Sequence, residues 1–351
     1  MLRPFFPGHQ LLNVTGACCA LLPAAAFAQD NPADCTRIDD DVARLRCYDR
    51  AHKREPIPAG VSPPSPAPAE PAASAPLQSA EASMFEDRWD VDGRRKGELF
   101  YPRAYKPVFL LPLTWTDSMN RTPTSPAPDH SVTTPLDLDS VEMKYQISFK
   151  AKLWDDIFGS PLKLWGGYTQ SSRWQVFNAA QSRPFRETDY EPELIVSWPL
   201  DHTGFGWRLR HVSLSLNHQS NGRAPPLSRS WNRVIGEAGF EIGEWTVQLR
   251  PWVRLNEDTA SDDNPDISDY AGRGEVLITT KLGKNVLALQ LRHSLRGGDR
   301  SHGAALLDWS YPLGGALHLY TQWFTGYAES LIDYNHRQNK LGIGFSVVEW
   351  R

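Results

Sequence analysis

The side chains best equipped for chemistry in this chain lie in Asn217-His218-Gln219-Ser220-Asn221-Gly222-Arg223 and Ser228-Arg229-Ser230-Trp231-Asn232-Arg233. They supply an imidazole, a hydroxyl and, twelve residues past that hydroxyl, a carboxamide. This is the inventory of a nucleophilic hydrolase, because a serine needs a base to take its proton and the base needs a partner to fix its tautomer. Val212, Leu214, Leu216, His218 and Ser220 alternate with Ser213, Ser215, Asn217 and Gln219, the period of a strand. After a turn marked by Gly222, Pro225 and Pro226, a second strand carries Asn232, Val234, Ala238 and Phe240 opposite Arg233, Glu237 and Glu241. His218, Ser220 and Asn232 therefore share the apolar face of a hairpin whose other face is polar, an arrangement inverted relative to a soluble protein. Residues i and i+2 of a strand lie about 6.5 to 7 Å apart, so the ring can lean towards the hydroxyl while Asn232 serves its other nitrogen.

The rest of the chain has to position that hairpin. With a formal charge of -4 over 351 residues, it carries no basic excess for a polyanion partner. Arg3, the apolar run from Ala17 to Phe27 and the small-residue ending Ala26-Phe27-Ala28 predict a secretory signal peptide over residues 1–28. A lipid anchor on Cys18 or Cys19 fits less well, since Thr15 and Gly16 precede them. Cleavage leaves Cys35 and Cys47, too few ligands for zinc and the expected ends of one disulfide in an oxidising compartment. They bracket a short segment, 29–54, with one helix expected around Asp39–Arg50. Residues 55–98 then read as a Pro/Ala-rich linker and approach, as in Pro63-Pro64-Ser65-Pro66-Ala67-Pro68, with the folded domain expected from near Glu86 or a little later.

Past the signal, no stretch approaches the roughly 18 to 20 apolar residues of a membrane helix, so any crossing is made by strands. Alternating segments are expected near 107–115, 141–153, 161–174, 190–199, 206–219, 230–242, 244–255, 269–282, 284–296, 302–311, 315–327 and 338–350. Tight connections at 243, 283 and 312–314 contrast with long ones at 116–140, 175–189, 220–229, 256–268 and 328–337. Short turns on one side and long loops on the other predict an all-β fold, a twelve-stranded antiparallel transmembrane β-barrel over residues 99–351. With the N-terminus inside, the His218–Ser220 end of its strand lies at the outer rim. Tryptophans such as Trp207, Trp231, Trp245, Trp309 and Trp350 fall towards segment ends, where rings favour the membrane interface. A soluble antiparallel barrel is the alternative that composition leaves open.

Seven blocks in this order resemble the outer-membrane phospholipase A family. They are Tyr168-Thr169-Gln170, Pro184-Phe185-Arg186-Glu187-Thr188, Tyr190-Glu191-Pro192, His218 to Arg223, Ser228 to Arg233, Asp262-Asp263-Asn264-Pro265-Asp266 and Glu329-Ser330-Leu331-Ile332-Asp333-Tyr334-Asn335. The resemblance covers about residues 99–351. It implies a calcium-dependent serine hydrolase in the Gram-negative outer membrane, active as a homodimer on sn-1 and sn-2 acyl esters of phospholipids and on lysophospholipids. By the same resemblance, Ser220 is the nucleophile, His218 the base and Asn232 the residue that orients it. The Ca²⁺ ligands would be the main-chain carbonyl of Arg223, the hydroxyl of Ser228 and, across the dimer, the hydroxyl of Ser182. Asp263 matches a weaker second calcium site, although Pro225 stands where the family often has an aspartate. Gln170 shares a face with Leu164 and Tyr168, and the resemblance implies that its amide bonds across the dimer interface. A non-catalytic barrel serving as a pore or anchor and a soluble secreted lipase are the competing readings.

Overall fold

The computed structural model describes residues 35–52 and 83–350, in two units that divide after Leu77. In the N-terminal unit, Asp40 caps helix α1 (Asp41–Ala51) by accepting from the Ala43 amide at 2.9 Å. Cys47 is buried and joined to Cys35 by a disulfide, as expected. The expected signal peptide over 1–28 and the Pro/Ala-rich part of the linker, through residue 82, lie outside the described residues.

The second unit is all-β apart from short helical turns. Its strands are β1 (Arg103–Ala104), β2 (Val108–Thr116), β3 (Val141–Trp154), β4 (Lys163–Trp174), β5 (Phe185–Gly204), β6 (Trp207–Ser220) and β7 (Ser230–Ile242). They continue with β8 (Trp245–Leu255), β9 (Gly274–Leu282), β10 (Asn285–His293), β11 (Gly303–Gly314), β12 (Leu317–Gly326) and β13 (Gln338–Val348). From β2 onward each pairs antiparallel with the next, and β13 returns to β2 with Lys340 facing Thr116, which closes a barrel of twelve. The two-residue β1 extends the first stave along β3, opposite Lys150 and Phe149. Closure pairs each of the twelve strands β2–β13 on both sides, the condition for placing strands in lipid. At the seam a side chain on β13 would collide with β2: a Cβ on Gly344 would sit 2.1 Å from the Leu110 carbonyl oxygen.

The pattern on each stave is inside-out. Along β3, Glu142, Lys144, Ser148, Lys150 and Lys152 are buried towards the lumen, while Ile147 and Phe149 are exposed on the outer face. Most of this buried charge is held in ion pairs, while the Lys150 ammonium lies over the Trp89, Tyr105 and Trp165 rings instead. Arg186 forks onto Glu142 at 2.8 and 2.9 Å and reaches Asp333 at 2.8 Å. Lys340 lies 2.9 Å from both Glu142 and Glu329, and Arg173 bridges Glu329 at 3.2 Å and Asp189 at 2.8 Å. This network ties β3, β4, β5 and β13 to the 327–337 loop.

The lumenal charge explains where strand limits differ from those expected. The charged run Phe185–Asp189 reads as loop by composition, yet it is the start of β5, because Arg186, Glu187 and Asp189 point into the lumen. Residues 269–273 are not strand: Ile267 is buried and opens a helical turn, α3 (Ile267–Tyr270), so β9 begins at Gly274. The turn expected at 312–314 is strand, with a register shift between Pro312 and Gly314.

The approach to the barrel is also folded. Helix α2 (Met84–Trp89) starts with a capping box between Ser83 and Glu86 and buries Met84, Phe85 and Trp89 against Tyr105, Trp165 and Ile195. Trp89 stacks on His211 with centroids 4.7 Å apart. Gly239 makes room for this packing, since a Cβ there would lie 2.5 Å from both the His211 and Phe85 rings. Arg88 donates to the carbonyls of Tyr105 and Glu349. The pattern Ser-x-x-Glu was the available signal for this helix.

Removing one member of the lumenal network should strand its partners. Glu142→Ala is expected to destabilise the barrel by roughly 3 to 5 kcal/mol, read as a lower urea midpoint for loss of the compact, heat-modifiable band on gels.

Candidate active site

The site is assembled by the register of β6 and β7. Their antiparallel pairing sets His218 directly opposite Asn232, Asn217 opposite Arg233, and Ser220 opposite Ser230. On the lumenal side Arg233 reaches the Asn217 carboxamide at 2.7 Å, Glu191 at 3.0 Å and Gln219 at 3.2 Å, while its guanidinium stacks 4.1 Å from the Trp231 ring centroid. Gln219 also accepts from the Trp231 indole at 2.9 Å. Fixing the inward residues fixes the outward ones, because a slip of one residue would turn every side chain over.

On the outer face His218 Nδ1 and Asn232 Oδ1 are 2.8 Å apart. A carboxamide oxygen only accepts, so Nδ1 carries the proton and Nε2 is left as the basic nitrogen. Ser220 ends β6, two residues along the same face, and among the described residues its hydroxyl makes no hydrogen bond. The structure thus joins His218 to Asn232 and places Ser220 two residues along the same face. Such a serine–base bond is often open in the resting enzyme. Asn232 Nδ2 in turn donates to Glu257 Oε1 at 2.8 Å.

The loop after Ser220 is stapled by Asn221. Its Nδ2 donates to Leu227 O at 2.7 Å and Glu187 at 3.0 Å, while its Oδ1 accepts from the Arg229 amide at 3.0 Å and the Arg223 amide at 3.3 Å. The Ser228 hydroxyl donates to Asp263 Oδ2 at 2.6 Å, and the other Asp263 oxygen meets His130 Nε2 at 3.0 Å. Ser125 donates to the Asp263 carbonyl at 2.6 Å, so the 117–140 loop closes over the same corner. Arg223 sits on this loop with its guanidinium on the Arg186 carbonyl at 2.8 Å. Among the described residues no three His, Cys, Asp or Glu side chains cluster as a metal cage. What gathers around Ser228 is hydroxyl, carbonyl and carboxylate oxygen, the donor class of a hard cation rather than of zinc.

Ser182 is exposed on the β4–β5 connection, following the helical turn Ala179–Gln181, and has no side-chain bond to Arg223 or Ser228 of its own chain. Gln170 lies on the outer side of β4, where its oxygen accepts from the Tyr168 hydroxyl at 3.0 Å and its nitrogen reaches the Ser172 hydroxyl at 3.4 Å.

Residues that sequence reasoning passed over are Glu257, His130, Asn221 and Arg233. Glu257 has a readable signal in hindsight: Leu255 pairs with Asn232, and Glu257 is the next residue on that face. Burial raises its carboxyl above the usual range, with Asp262 and Asp263 adding to the effect against the Asn232 bond and Arg254.

The family model for phospholipase A1 matches residues 85–347. The chain belongs to the phospholipase A1 family. The phospholipase A1 of Klebsiella pneumoniae is 39% identical over 246 residues, covering 70% of this chain and 81% of that one. The Salmonella typhi outer membrane phospholipase, solved as a dimer with bound calcium, superposes with a TM-score of 0.67 at 34% identity, over 77% of this chain and all of that one. An active-site variant of the Escherichia coli outer membrane phospholipase A, with an asparagine replaced by alanine, superposes with a TM-score of 0.63 at 35% identity, over 76% and 96% of the two chains. This is therefore a phospholipase-family barrel of the Gram-negative outer membrane.

Because Asn221 alone holds both loop amides, Asn221→Ala should release residues 221–229 without unfolding the barrel. Amide exchange at Arg223 and Arg229 is expected to accelerate about tenfold or more, with the urea midpoint nearly unchanged.

Proposed function

We propose that this chain is a calcium-dependent serine hydrolase that cleaves sn-1 and sn-2 acyl esters of phospholipids, and lysophospholipids, in the outer leaflet, and that it works as a homodimer. The observation that carries the reading is the His218–Asn232 hydrogen bond on the lipid side of the barrel wall, next to Ser220. An ester held in the bilayer reaches such a site directly, which gives the outward face a chemical sense.

In the forward step, Nε2 of His218 takes the Ser220 proton as the hydroxyl oxygen attacks the acyl carbonyl. The same nitrogen then returns the proton to the departing lysolipid oxygen, and water admitted at the rim repeats the cycle on the acyl-enzyme. Asn232 keeps Nδ1–H pointed away from the reaction throughout. It does so without placing a carboxylate at the lipid boundary, where an ionised group is costly. The Arg223 carbonyl and Ser228 hydroxyl would hold Ca²⁺, and the acidic Asp263 supplies charge beside them. A bound cation adds positive potential for the developing oxyanion.

The homodimer follows from family likeness and from two residues on one side of the barrel. Ser182 is free on its exposed loop to serve a neighbouring subunit's site. The long bond from Gln170 to Ser172 leaves its amide able to pair with a second copy. The reading as a pore is disfavoured by the lumen, which is crossed by ion pairs between Arg173, Arg186, Lys340, Glu142, Glu329 and Asp333.

Fatty-acid release from phosphatidylcholine in detergent micelles tests the assignment, with wild type and Ser220→Ala each assayed in calcium and in chelator. Activity should appear only for wild type in calcium, with Ser220→Ala lower by about a thousandfold or more. Equal negligible rates in all four samples, with the compact barrel intact, would return the protein to the pore or anchor reading. Gln170→Ala should weaken dimerisation by about 1 kcal/mol, seen as less cross-linked dimer at a fixed protein-to-detergent ratio.

A further inference from the structure

The orienting amide is itself held. Asn232 has two faces to satisfy: its oxygen accepts from His218 Nδ1 at 2.8 Å and its nitrogen donates to Glu257 Oε1 at 2.8 Å. A carboxamide alone is a weak determinant of tautomer, since a half-turn about its last bond would present N–H to N–H. A carboxylate behind it removes that choice, because Glu257 accepts and can only meet the nitrogen end. The same bond polarises the amide and increases the negative charge on the oxygen that faces the imidazole.

Resting on the serine-hydrolase reading above, we propose that Glu257 is a positioning residue of this site and its anionic member, acting on His218 through the Asn232 amide. A triad with aspartate places the carboxylate directly on the histidine. Here the charge is one amide further back, on the loop after β8, where the barrel wall ends and water begins. Register puts it there: Leu255 is the β8 partner of Asn232, and Glu257 continues the same face beyond the strand. The charged groups around Glu257 are Arg254 on β8, Asp262 and Asp263 on its own loop, and His218 on β6 beyond the amide. Arg254 is already committed to Asp262 at 2.6 Å and to the carbonyls of Asn264 and Pro265, which leaves the Asn232 amide as the hydrogen-bond partner of Glu257.

The test is a comparison of Glu257→Gln and Glu257→Ala with wild type and Ser220→Ala in full-length protein. Hydrolysis of phosphatidylcholine in mixed micelles is followed across pH at saturating calcium and again over a calcium titration. For Glu257→Gln, kcat should fall about tenfold with little change in KM. The acid limb of kcat/KM should move to lower pH, since an imidazolium that loses a nearby negative charge forms less readily. Glu257→Ala should show the same limb shift, and in an Asn232→Ala background neither substitution should cost anything further. An unshifted limb, additive losses in the double variants, or recovery by extra calcium would overturn the proposal, the last by assigning Glu257 to the cation instead. If Ser220→Ala keeps full activity, it is the hydrolase reading that fails, whatever the Glu257 variants do.

Discussion

The clamp that Arg233 makes from inside the barrel, on Asn217, Glu191 and Gln219 with its guanidinium over the Trp231 ring, sets the geometry on the outside. Strand pairing by itself specifies spacing, but it does not specify which residue faces which. On a two-sided stave the choice of register is worth as much as the difference between a charged residue inside and the same residue in lipid. Arg233 can reach Asn217 and Glu191 together only when it is opposite Asn217, and then His218 has to be opposite Asn232. The lumen thus sets a hydrogen bond on the far side of the wall.

The same division of labour runs through the barrel. Lipid offers nothing to hold strands laterally beyond the backbone ladder, so specific side-chain recognition has moved into the lumen, where Glu142, Arg186, Lys340, Glu329 and Arg173 are mutually paired. Such a network adds little net stability compared with an apolar core, but every broken pair is expensive, and that asymmetry rejects misregistered barrels. Helix α2 applies the other principle, burying Phe85 and Trp89 in a conventional apolar cluster, one of several beside the lumenal ion pairs. Two kinds of packing therefore coexist in one lumen.

This also explains what the sequence disclosed. Alternation on β6 and β7 placed His218, Ser220 and Asn232 on one outward face, because lipid enforces apolarity on that side and leaves the three polar residues conspicuous. The lumenal side is less legible. Arg186, Glu187 and Asp189 look like loop residues to any rule that equates charge with solvent, so the start of β5 was read late. Helix α2 is too short to show a periodic face, and only its Ser83–Glu86 capping box distinguishes it from the linker before it. Glu257 was visible only as one carboxylate in an acidic loop. Its relation to Asn232 depends on where β8 stops, and strand ends are the part of a barrel that alternation fixes least.

That position makes physical sense of an amide where other hydrolases use an acid. A carboxylate at residue 232 would sit on the lipid-facing side, opposite Leu255 and next to Val234 on its own strand, where neutralising itself with a proton is the cheapest response and would abolish its use as an acceptor. One residue pair further out, Glu257 is part-buried and already raised by that burial, yet close enough to water and Arg254 to remain ionisable. An amide transmits polarisation without carrying net charge, so the anion can stay at the rim while its effect reaches the imidazole. The cost is a longer path and a weaker field at His218. The gain is a lipid-facing cluster that holds no permanent ion, because His218 and Asn232 are neutral there while the carboxylate stays at the rim.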